Sequence, residues 1–551
     1  MEPIWMRYWP QGVPTTLVVP DRTVAAAVSD RGRADPDRPA VIYYGRRITY
    51  GELAEQVERA AGALAAQGVA PGDRVLLFMG NTPAFVVGYL AAHALGAVVV
   101  AANPMFKADE LAHELDDSGA RVLVADAGLA PVAEAVLAER PGVFAVYADL
   151  RAFLPPTPFP RPHPDMLRSA AIPPGRPDFA AWIARADRLR PRPVDVERTV
   201  ALIQYTSGTT GVPKGAVILQ RSLLANVEGS RLWTRAGPES VHLAVLPLFH
   251  VTGMVHSFLM PLLAGGTMVL LTRFETDTFI EALQHWRATH WVGIATMNVA
   301  VVNHPRIRDY RLDSLAFAMS GGAPIPVPVL ERFRELTGVT LVEGYGLSET
   351  ISQVTVNPPD RPKLGSVGIP VHGVDLRITA VGRFDEELPV GSTGEIWVRG
   401  PQVMQGYFGR PEATREVLRP DGWFDTGDLG FVDEEGYLHI AGRSKELIKA
   451  SGYSVFPAEV ENLLYRHPAV AEAAVIGVPD PYRGETVKAV VVLKPGAAVT
   501  PEDLVAWAHA NMAAYKAPRI VEIREALPKT ASGKILKRIL IEEERRRAGL
   551  A

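Results

Sequence analysis

Segments with helical and strand-like spacing of apolar residues alternate through the first third of the chain. Apolar positions recur at helical spacing over residues 50–67, directly after a Thr49 that is placed to cap the helix. Short apolar runs at residues 73–79 and 98–102 are typical of buried strands, and residues 83–95 between them have a helical pattern. This strand–helix–strand order predicts a parallel sheet that is covered by helices.

The pattern changes twice further along the chain. Residues 151–193 contain 11 prolines and predict an irregular surface excursion, after which strand and helix patterns resume from residue 199 to about residue 346. Residues 363–440 show short strands and turns and predict a small β-rich module. A compact α/β pattern follows, and it places the main domain boundary at about residue 442.

Composition narrows the classes of function. The 57 Lys and Arg residues nearly balance the 61 Asp and Glu residues, and the net charge of −4 argues against a protein that coats nucleic acid or a membrane surface. The chain has no cysteine, which excludes disulfides, thiolate metal sites and a cysteine nucleophile. Only 11 of the cationic residues are lysines, and eight of these lie at or after Lys445. Because arginine can replace lysine at many solvated positions, each remaining lysine is mildly informative.

Two segments bear on membrane targeting, and neither of them predicts it. Residues 1–20 lack a basic stretch followed by an apolar one, so we expect no signal peptide. The most apolar run, residues 255–271, carries no charge but is short for a membrane span and contains His256 and Pro261. We expect a buried element followed by a turn there, no membrane span, and a cytoplasmic protein.

The strongest local motif covers residues 205–215, which follow an apolar strand at residues 200–203. Gly208 and Gly211 allow the backbone to approach an anion closely, and Lys214 adds a positive charge. The motif differs from a Walker A loop, because a proline precedes the lysine. A surface turn rich in serine, threonine and glycine is the alternative interpretation. The hydroxyl side chains that can donate to phosphate oxygens are Thr206, Ser207, Thr209 and Thr210.

A second motif covers residues 343–350 and is preceded by a glycine-containing stretch at residues 320–324. A glycine on each side of Tyr345 leaves both faces of the ring open, so that the ring can stack on a base. Glu349 lies between two hydroxyl residues and can hold Mg²⁺ through oxygen ligands. A β-turn with a buried tyrosine is the alternative interpretation.

Two weaker motifs lie further along the chain. Asp428 closes the segment at residues 423–428, and a carboxylate there can accept both hydroxyls of a ribose while Arg443 adds donors. A surface ion pair is the alternative for these two residues. Lys534 lies on a glycine-containing turn in residues 529–535 and can swing onto a substrate, whereas an exposed tail lysine is the alternative.

The four motifs together, in this order and spacing, resemble those of the adenylate-forming superfamily of acyl-CoA synthetases, firefly luciferases and peptide-synthetase adenylation domains. The resemblance runs from about Thr49 to Arg538. Residues 246–266 look most like fatty-acyl-CoA synthetases, and residues 9–14 resemble the start of bacterial long-chain fatty-acid ligases.

The resemblance implies an α/β fold with two unequal domains. The large N-terminal domain, residues 1–441, is expected to contain two parallel-rich sheets with helices, and the β-rich module at about 363–440 in a β-barrel-like form. The small α+β C-terminal domain, residues 442–551, is expected to be mobile about a hinge near Lys445.

Members of the superfamily couple a carboxylic acid to ATP, release pyrophosphate, and pass the acyl group of the acyl-AMP to a thiol, usually that of CoA. The resemblance therefore implies an AMP-forming ligase that uses ATP, Mg²⁺ and CoA. We expect the acid to be a medium- to long-chain fatty acid. An aryl- or other acid–CoA ligase, and a stand-alone adenylation enzyme that loads a carrier protein, are the alternatives. Homodimers occur among long-chain relatives, which makes a homodimer one candidate oligomeric state.

The resemblance also assigns roles to single residues. Thr206 and Glu349 match the Mg²⁺ ligands, Lys534 matches the adenylation lysine, and Lys449 opens the segment brought over the active site for thioester formation. The expected CoA contacts in that segment are Ser451, Gly452 and Tyr453. The expected ATP contacts are Thr206, Ser207, Gly208, Thr209, Thr210, Lys214, Gly322, Glu343, Gly344, Tyr345, Ser348, Thr350, Asp428, Arg443 and Lys445.

The acyl pocket is less readable from the resemblance. His250 matches a position beside the substrate carboxylate and is a candidate catalytic residue, while Gly253, Met254 and Gly321 are expected to line the acid. No acidic residue occurs between residues 246 and 260, which disfavours an amino acid because a buried ammonium group without a counter-ion is costly. Small and flexible side chains here suit an alkyl chain.

Overall fold

A computed structural model describes residues 3–168, 170–206, 213–321, 325, 327–450, 453–480, 484–529 and 535–547, with the backbone alone at residues 453 and 454. Strands and helices alternate through residue 205, as the apolar pattern predicts. The strands of this part are β1 (Pro39–Tyr43), β2 (Arg46–Thr49), β3 (Arg74–Phe78), β4 (Val98–Ala102), β5 (Val122–Asp126), β6 (Phe144–Ala148) and β7 (Val200–Tyr205). Its helices are α1 (Val24–Ala34), α2 (Tyr50–Ala66), α3 (Pro83–Leu95), α4 (Ala108–Ser118), α5 (Ala130–Leu137) and α6 (Phe179–Ala184).

The same alternation continues through the middle of the chain. The strands there are β8 (Gly215–Leu219), β9 (Val241–Ala244), β10 (Thr267–Leu270), β11 (His290–Ile294), β12 (Phe317–Gly321), β13 (Leu341–Leu347) and β14 (Ser352–Val356). The helices are α7 (Gln220–Thr234), α8 (Met260–Ala264), α9 (Thr276–His285), α10 (Ala295–Val302) and α11 (Val327–Thr337). A π-helical segment, Gly253–Leu259, leads directly into α8.

Short strands dominate the next stretch, as predicted for the β-rich module. They are β15 (Ile369–Pro370), β16 (Asp375–Ala380), β17 (Arg383–Glu387), β18 (Gly394–Arg399), β19 (Gly406–Tyr407), β20 (Phe424–Val432) and β21 (Leu438–Arg443), with one helix, α12 (Pro411–Val417). The last part of the chain contains β22 (Ile448–Ala450), β23 (Tyr453–Val455), α13 (Pro457–Leu464), β24 (Val470–Asp480), β25 (Gly484–Leu493), α14 (Pro501–Asn511), β26 (Ile520–Ile523) and α15 (Lys537–Arg547).

Two large sheets form the body of the N-terminal part. One has the order β19-β8-β7-β4-β3-β5-β6, and its strands from β7 to β6 are parallel. The other has the order β15-β14-β13-β12-β11-β9-β10-β1-β2, with a parallel run from β13 to β1. Parallel strands end at one edge of their sheet. The motif of residues 205–215, called the phosphate-loop motif below, begins at the carboxyl end of β7, and the tyrosine motif of residues 343–350 includes the carboxyl half of β13.

The remaining strands form two smaller sheets. The β-rich module is a five-stranded antiparallel sheet in the order β17-β16-β18-β20-β21, whereas β15 and β19 of the same stretch join the two large sheets. The last part of the chain has its own sheet, β23-β22-β25-β24 with β26 on β25, and its own apolar clusters. The domain limits at residues 1–441 and 442–551 stay predictions.

Local sequence explains the two best-predicted helices. The Thr49 hydroxyl accepts a hydrogen bond from the backbone of Glu52, whose side chain bonds back, so α2 begins with a capping box. Helix α3 starts at a proline and ends before Gly96, which has the left-handed conformation that favours glycine. All of its residues are buried, because a helix that is apolar on every side must be covered on every side.

The proline-rich excursion and the most apolar run also have the predicted character. Residues 151–193 contain only short helical pieces among the described residues, and Phe179 and Ile183 anchor the stretch in the main apolar core. Residues 255–271 are buried π- and α-helical turns followed by a left-handed Gly265 and strand β10. No helix in the described ranges combines the length and apolar composition needed to cross a membrane.

Candidate active site

A hydrogen-bonded cluster joins the second and third motifs. The Tyr345 hydroxyl, on β13, donates to Oδ2 of Asp428 on β20 at 2.6 Å. Arg443 lies opposite Asp428 on the neighbouring strand β21, with its Nε 3.3 Å from Oδ1. The Asp428 side chain is only 8% exposed, so the surface ion pair considered from the sequence is wrong. Burial and the Asp428 charge raise the pKa of Tyr345 well above its usual value, which keeps the phenol a hydrogen-bond donor.

Strand pairing explains the glycines beside Tyr345: it requires a glycine at position 346 and leaves little room for a side chain at position 344. A Cβ on Gly346 would lie 1.7 Å from the Ser352 carbonyl oxygen, because β14 passes directly beside it. A Cβ on Gly344 would lie 3.2 Å from the Thr355 carbonyl oxygen. Tyr345 itself is half-buried on a strand, so the β-turn considered from the sequence is wrong.

Glu343, at the start of the same motif, is a buried carboxyl group. Its Oε1 accepts a hydrogen bond from the backbone of Ile325 at 3.2 Å. Burial raises the pKa of Glu343 to about 7, although the bond from Ile325 opposes the rise. This carboxyl group therefore exchanges a proton near neutral pH.

A second cluster joins the phosphate-loop motif to Glu349 through a tyrosine that the sequence analysis missed. The Tyr407 hydroxyl donates to Oε1 of Glu349 at 2.9 Å, and Nζ of Lys214 lies 5.1 Å from the centre of the Tyr407 ring. A glycine directly precedes Tyr407, as one precedes Tyr345, and this is a sequence signal that points to the residue.

Thr206 directly follows β7, the strand against which the turn that carries Glu349 packs. The Thr206 amide donates to the Lys214 carbonyl at 3.0 Å, which closes the base of the phosphate-loop motif. The short 3-10 turn Ser348–Thr350 packs against both β7 and β8. Within the described part of the chain, the Thr206 hydroxyl and Oε2 of Glu349 have no hydrogen-bond partner.

Hydrogen bonds hold the turn after Glu349 in a strained conformation. Thr350 is fully buried, and its hydroxyl accepts from the Leu347 amide at 3.0 Å and donates to the Ser352 carbonyl at 2.8 Å. Ile351 and Ser352 have φ values of 44° and 96°, which non-glycine residues rarely adopt. Such backbone strain persists only where the surroundings impose it, and it concentrates at functional sites. The hydrogen bonds of Thr350 thus support a role for this residue in shaping the turn. Ser348, on the same turn, is half-buried.

The predicted acyl-pocket residues lie around the π-helical segment. His250 is half-buried, and its Nδ1 accepts from the Thr252 amide at 3.3 Å. A Cβ on Gly253 would lie 2.3 Å from the Pro247 carbonyl oxygen, so this glycine is needed for a close backbone approach. Met254 is fully buried and accepts a hydrogen bond from Tyr89 at 3.2 Å. Gly321 ends β12, beside the tyrosine strand β13.

Asp425 connects the two clusters electrostatically. Burial raises its pKa, and the nearby carboxylates of Glu395 and Asp428 add to the rise while Lys445 opposes it. The Asp425 charge also helps to raise the pKa of Tyr407, after burial and Glu349. The turn Ser444–Glu446, which contains the predicted hinge residue Lys445, packs against β20, the strand that carries Asp428.

The remaining predicted residues belong to the segment after the hinge or fall outside the described ranges. Lys449 is exposed on β22, and its amide donates to Glu485 at 2.7 Å. The backbone of Tyr453 pairs with Ala450. The predicted residues that lie outside the described ranges are Ser207, Gly208, Thr209, Thr210, Gly322, Ser451, Gly452 and Lys534.

Comparisons with known proteins bear on this arrangement. Residues 28–408 match the AMP-binding enzyme family, and residues 459–534 match the AMP-binding enzyme C-terminal domain. A long-chain-fatty-acid–CoA ligase of Bacillus subtilis (strain 168) is 36% identical over 557 residues, covering 98% of this chain and 98% of the relative. A feruloyl-CoA synthase of an Amycolatopsis species is 40% identical over 523 residues, covering 94% and 98%. The crystal structure of ATP-bound MatB from Rhodopseudomonas palustris has a TM-score of 0.83 at 31% identity, covering 94% of this chain and 98% of that chain.

These matches confirm the resemblance and the α/β fold class predicted from the motifs. Both large parts of the chain match parts of one enzyme family, and the relatives extend over nearly all of its length. The chain belongs to the AMP-binding enzyme family, and it is an AMP-forming acid–thiol ligase.

Proposed function

We propose that the enzyme activates a medium- to long-chain fatty acid with Mg²⁺ and ATP and transfers the acyl group to CoA. The buried segment that follows His250 is the observation that carries the choice of acid. Every residue of Gly253–Leu259 is buried, and no acidic residue occurs from 246 to 260, so this segment offers no carboxylate to pair with a positively charged substrate tail. Similarity to a long-chain ligase along 98% of the chain supports the same class of acid.

In the first step, a carboxylate oxygen of the acid attacks the α-phosphorus of ATP, the bond from that phosphorus to the bridging oxygen breaks, and pyrophosphate leaves. Two anions meet in this step, so the enzyme must neutralise charge. Lys534, assigned by resemblance, is proposed to supply one positive charge at the α-phosphate. Loss of one well-placed charge stabiliser commonly reduces such rates by about 10²–10³.

The residues proposed to hold Mg²⁺ fit its chemistry. The Thr206 hydroxyl and the second Glu349 oxygen are hard oxygen ligands without hydrogen-bond partners in the described ranges. No group of three or more His, Asp or Glu residues that could hold a metal occurs among the residues described. One carboxylate together with substrate phosphates is a common set of Mg²⁺ ligands, and bound Mg²⁺ would neutralise charge on those phosphates.

In the second step, the CoA thiol attacks the acyl carbonyl, the thioester forms, and AMP leaves. Lys534 must withdraw to admit the thiol, and we propose that the C-terminal part rotates about Lys445 to achieve this. Lys449, Ser451, Gly452 and Tyr453 would then face the acyl adenylate. The exposure of Lys449 supports its availability for such a movement.

An aryl acid is the second candidate substrate, because a feruloyl-CoA synthase is 40% identical to this chain. ATP–pyrophosphate exchange with octanoate, dodecanoate, hexadecanoate, benzoate and ferulate separates the two. The proposal predicts the fastest exchange with one of the three fatty acids. Faster exchange with ferulate or benzoate would overturn the choice of acid while leaving the ligase class intact.

The acceptor and the oligomeric state need separate measurements. CoA and a phosphopantetheinylated carrier protein, each added to preformed acyl adenylate, distinguish a CoA ligase from a carrier-loading enzyme; we expect thioester with CoA. Light scattering across protein concentrations tests the predicted homodimer.

A further inference from the structure

Tyr407 is held firmly at the base of the phosphate-loop motif. Strand β19 pairs with β8 so that Tyr407 lies opposite Ala216. The Phe408 amide donates to the Gly215 carbonyl at 2.8 Å, and the Tyr407 amide donates to the Thr414 hydroxyl at 2.9 Å. These bonds fix the backbone on both sides of the tyrosine, so its side chain has a defined direction.

The Tyr407 side chain contacts one residue from each of two segments proposed to bind the ATP phosphates. Its hydroxyl donates to Oε1 of Glu349 at 2.9 Å, while its ring lies 5.1 Å from Nζ of Lys214. Ring packing alone does not account for the first contact, because phenylalanine would fill the same space. Tyr407 is half-buried, and its hydroxyl has a defined partner, which is the proposed Mg²⁺ ligand.

The same short segment holds Glu349 by its backbone as well. The Met404 amide donates to the Glu349 carbonyl at 2.7 Å, and Tyr407 holds one carboxylate oxygen. The second oxygen, Oε2, is then the one without a partner in the described ranges. A carboxylate fixed in this way presents one oxygen in a set direction, as outer hydrogen-bond partners do for metal ligands.

We infer that Tyr407 is a positioning residue for the nucleotide: its hydroxyl orients Glu349 toward Mg²⁺, and its ring orients the Lys214 ammonium toward the phosphates. This inference rests on the proposed function, in which Glu349 binds Mg²⁺ and Lys214 binds ATP. The two contacts have separate consequences. Loss of the hydroxyl affects the Mg²⁺ dependence of ATP binding, whereas loss of the ring also affects ATP binding without metal.

Calorimetric titration of the full-length enzyme with ATP, at graded Mg²⁺ concentrations and without acid or CoA, tests the inference. The measured quantity is the Mg²⁺ concentration at which half of the Mg²⁺-induced increase in ATP affinity is reached. For Tyr407→Phe we expect this concentration to rise about tenfold or more. ATP affinity in EDTA should match the wild type. Tyr407→Leu should weaken ATP binding in EDTA as well, because the cation–π contact with Lys214 is lost.

Two comparisons separate positioning from a general structural effect. Tyr147 donates to Oε1 of Glu134 at 2.5 Å in another part of the fold, so Tyr147→Phe removes a tyrosine–glutamate bond of the same kind and should leave the Mg²⁺ dependence unchanged. In a Glu349→Gln background, Tyr407→Phe should have little further effect on that dependence, because it acts through Glu349.

Four results would contradict the account: three of them overturn the inference about Tyr407, and the fourth overturns the Mg²⁺ site on which it rests. Wild-type Mg²⁺ dependence in Tyr407→Phe overturns the inference, as does an equal shift in Tyr147→Phe or a full effect in the Glu349→Gln background. ATP binding by the wild type that Mg²⁺ does not tighten overturns the proposed Mg²⁺ site itself.

Discussion

Lys537 forms an ion pair with Glu446 in which Nζ and Oε2 lie 3.2 Å apart, and a second with Glu461 at 2.8 Å. Glu446 ends the short turn Ser444–Glu446, which contains the predicted hinge. The Lys537 side chain is 15% exposed. Burial opposes its charge, but the two carboxylates outweigh it and raise the pKa of Lys537. Helix α15, which follows the predicted catalytic Lys534, is thus attached to the hinge segment.

Replacing Lys537 with methionine should destabilise the enzyme, because two carboxylates lose their shared cation. We expect a loss on the order of 1–3 kcal/mol, less than for a fully buried pair. Lys516, which pairs with Glu459 nearer the surface, offers a matched control. Lys516→Met should change stability by less than about 1 kcal/mol. Denaturant unfolding compares the two variants, and equal losses would contradict the special place of Lys537.

Replacing Tyr345 with phenylalanine should weaken ATP binding. The substitution removes the donor to Asp428 but keeps a ring that can stack on a base. A hydrogen bond to a charged group contributes about 1.5–3 kcal/mol, so we expect the dissociation constant for ATP to rise about tenfold. Tyr437→Phe is the control, since it removes a 2.6 Å bond to the Arg361 carbonyl away from these clusters. An unchanged ATP affinity in Tyr345→Phe would show that Asp428 does not need this donor.

Replacing Gly346 with alanine should disrupt the tyrosine strand. The new Cβ would lie 1.7 Å from the Ser352 carbonyl oxygen, so β13 and β14 must separate or the strained turn before β14 must shift. We expect a loss of several kcal/mol and severely weakened ATP binding. Gly142→Ala, where no atom lies within 4 Å of the added Cβ, should leave both unchanged. Thermal unfolding and ATP calorimetry measure the pair, and near-equal stability of the two variants would count against the geometry.

The buried Glu114 predicts a pH dependence of stability. Burial raises its pKa to about 8 from 4.5, with Glu110 and Asp117 adding to the rise. Between those values the unfolded chain has lost this proton while the folded enzyme still binds it, so stability falls as pH rises from about 4.5 to 8. Glu114→Gln has no such proton to lose.

A comparison of the wild type with Glu114→Gln tests this pH dependence. Relative to the wild type, Glu114→Gln should gain stability as pH rises from 4.5 to 8, by at most about 4 kcal/mol, because each pKa unit corresponds to about 1.4 kcal/mol. Unfolding by urea at pH 5 and pH 8 gives the difference. A constant offset between the two proteins at both pH values would contradict the raised pKa.

Local signals made much of the fold predictable. Thr49 and its Glu52 partner are three residues apart, and the α3 limits follow from a proline, a glycine and an apolar run. Asp428 and Arg443 were singled out together, and they meet because they are register partners on adjacent strands. In these cases, the residues that determine the structure lie close together in the sequence.

Long-range contacts were not predictable in the same way. Tyr407 and Glu349 are 58 positions apart, and nothing in either segment alone indicates that the tyrosine hydroxyl reaches the carboxylate. The sequence predicts that the glycines beside Tyr345 leave the faces of the ring open, whereas in the structure the neighbouring strand is what excludes a side chain at Gly346.

The partners of the lysines at or after Lys445 were not predictable from the sequence either. The sequence shows that most lysines lie at or after Lys445, but it does not indicate which carboxylates they pair with. The structure places four of them in ion pairs within the C-terminal part of the chain: Lys488 with Glu522 and Glu544, Lys516 with Glu459, Lys529 with Glu472, and Lys537 with Glu446 and Glu461.

Transfer of oxygen from the acid to AMP tests the central proposal most directly. The enzyme is incubated with ATP, Mg²⁺, CoA and hexadecanoate labelled with ¹⁸O in both carboxyl oxygens, and the AMP is analysed by mass spectrometry. Attack of the carboxylate on the α-phosphorus, followed by thiol attack on the acyl carbonyl, predicts one ¹⁸O in each AMP. Acyl-CoA formed with unlabelled AMP, or with the label in inorganic phosphate, would contradict the acyl-adenylate route.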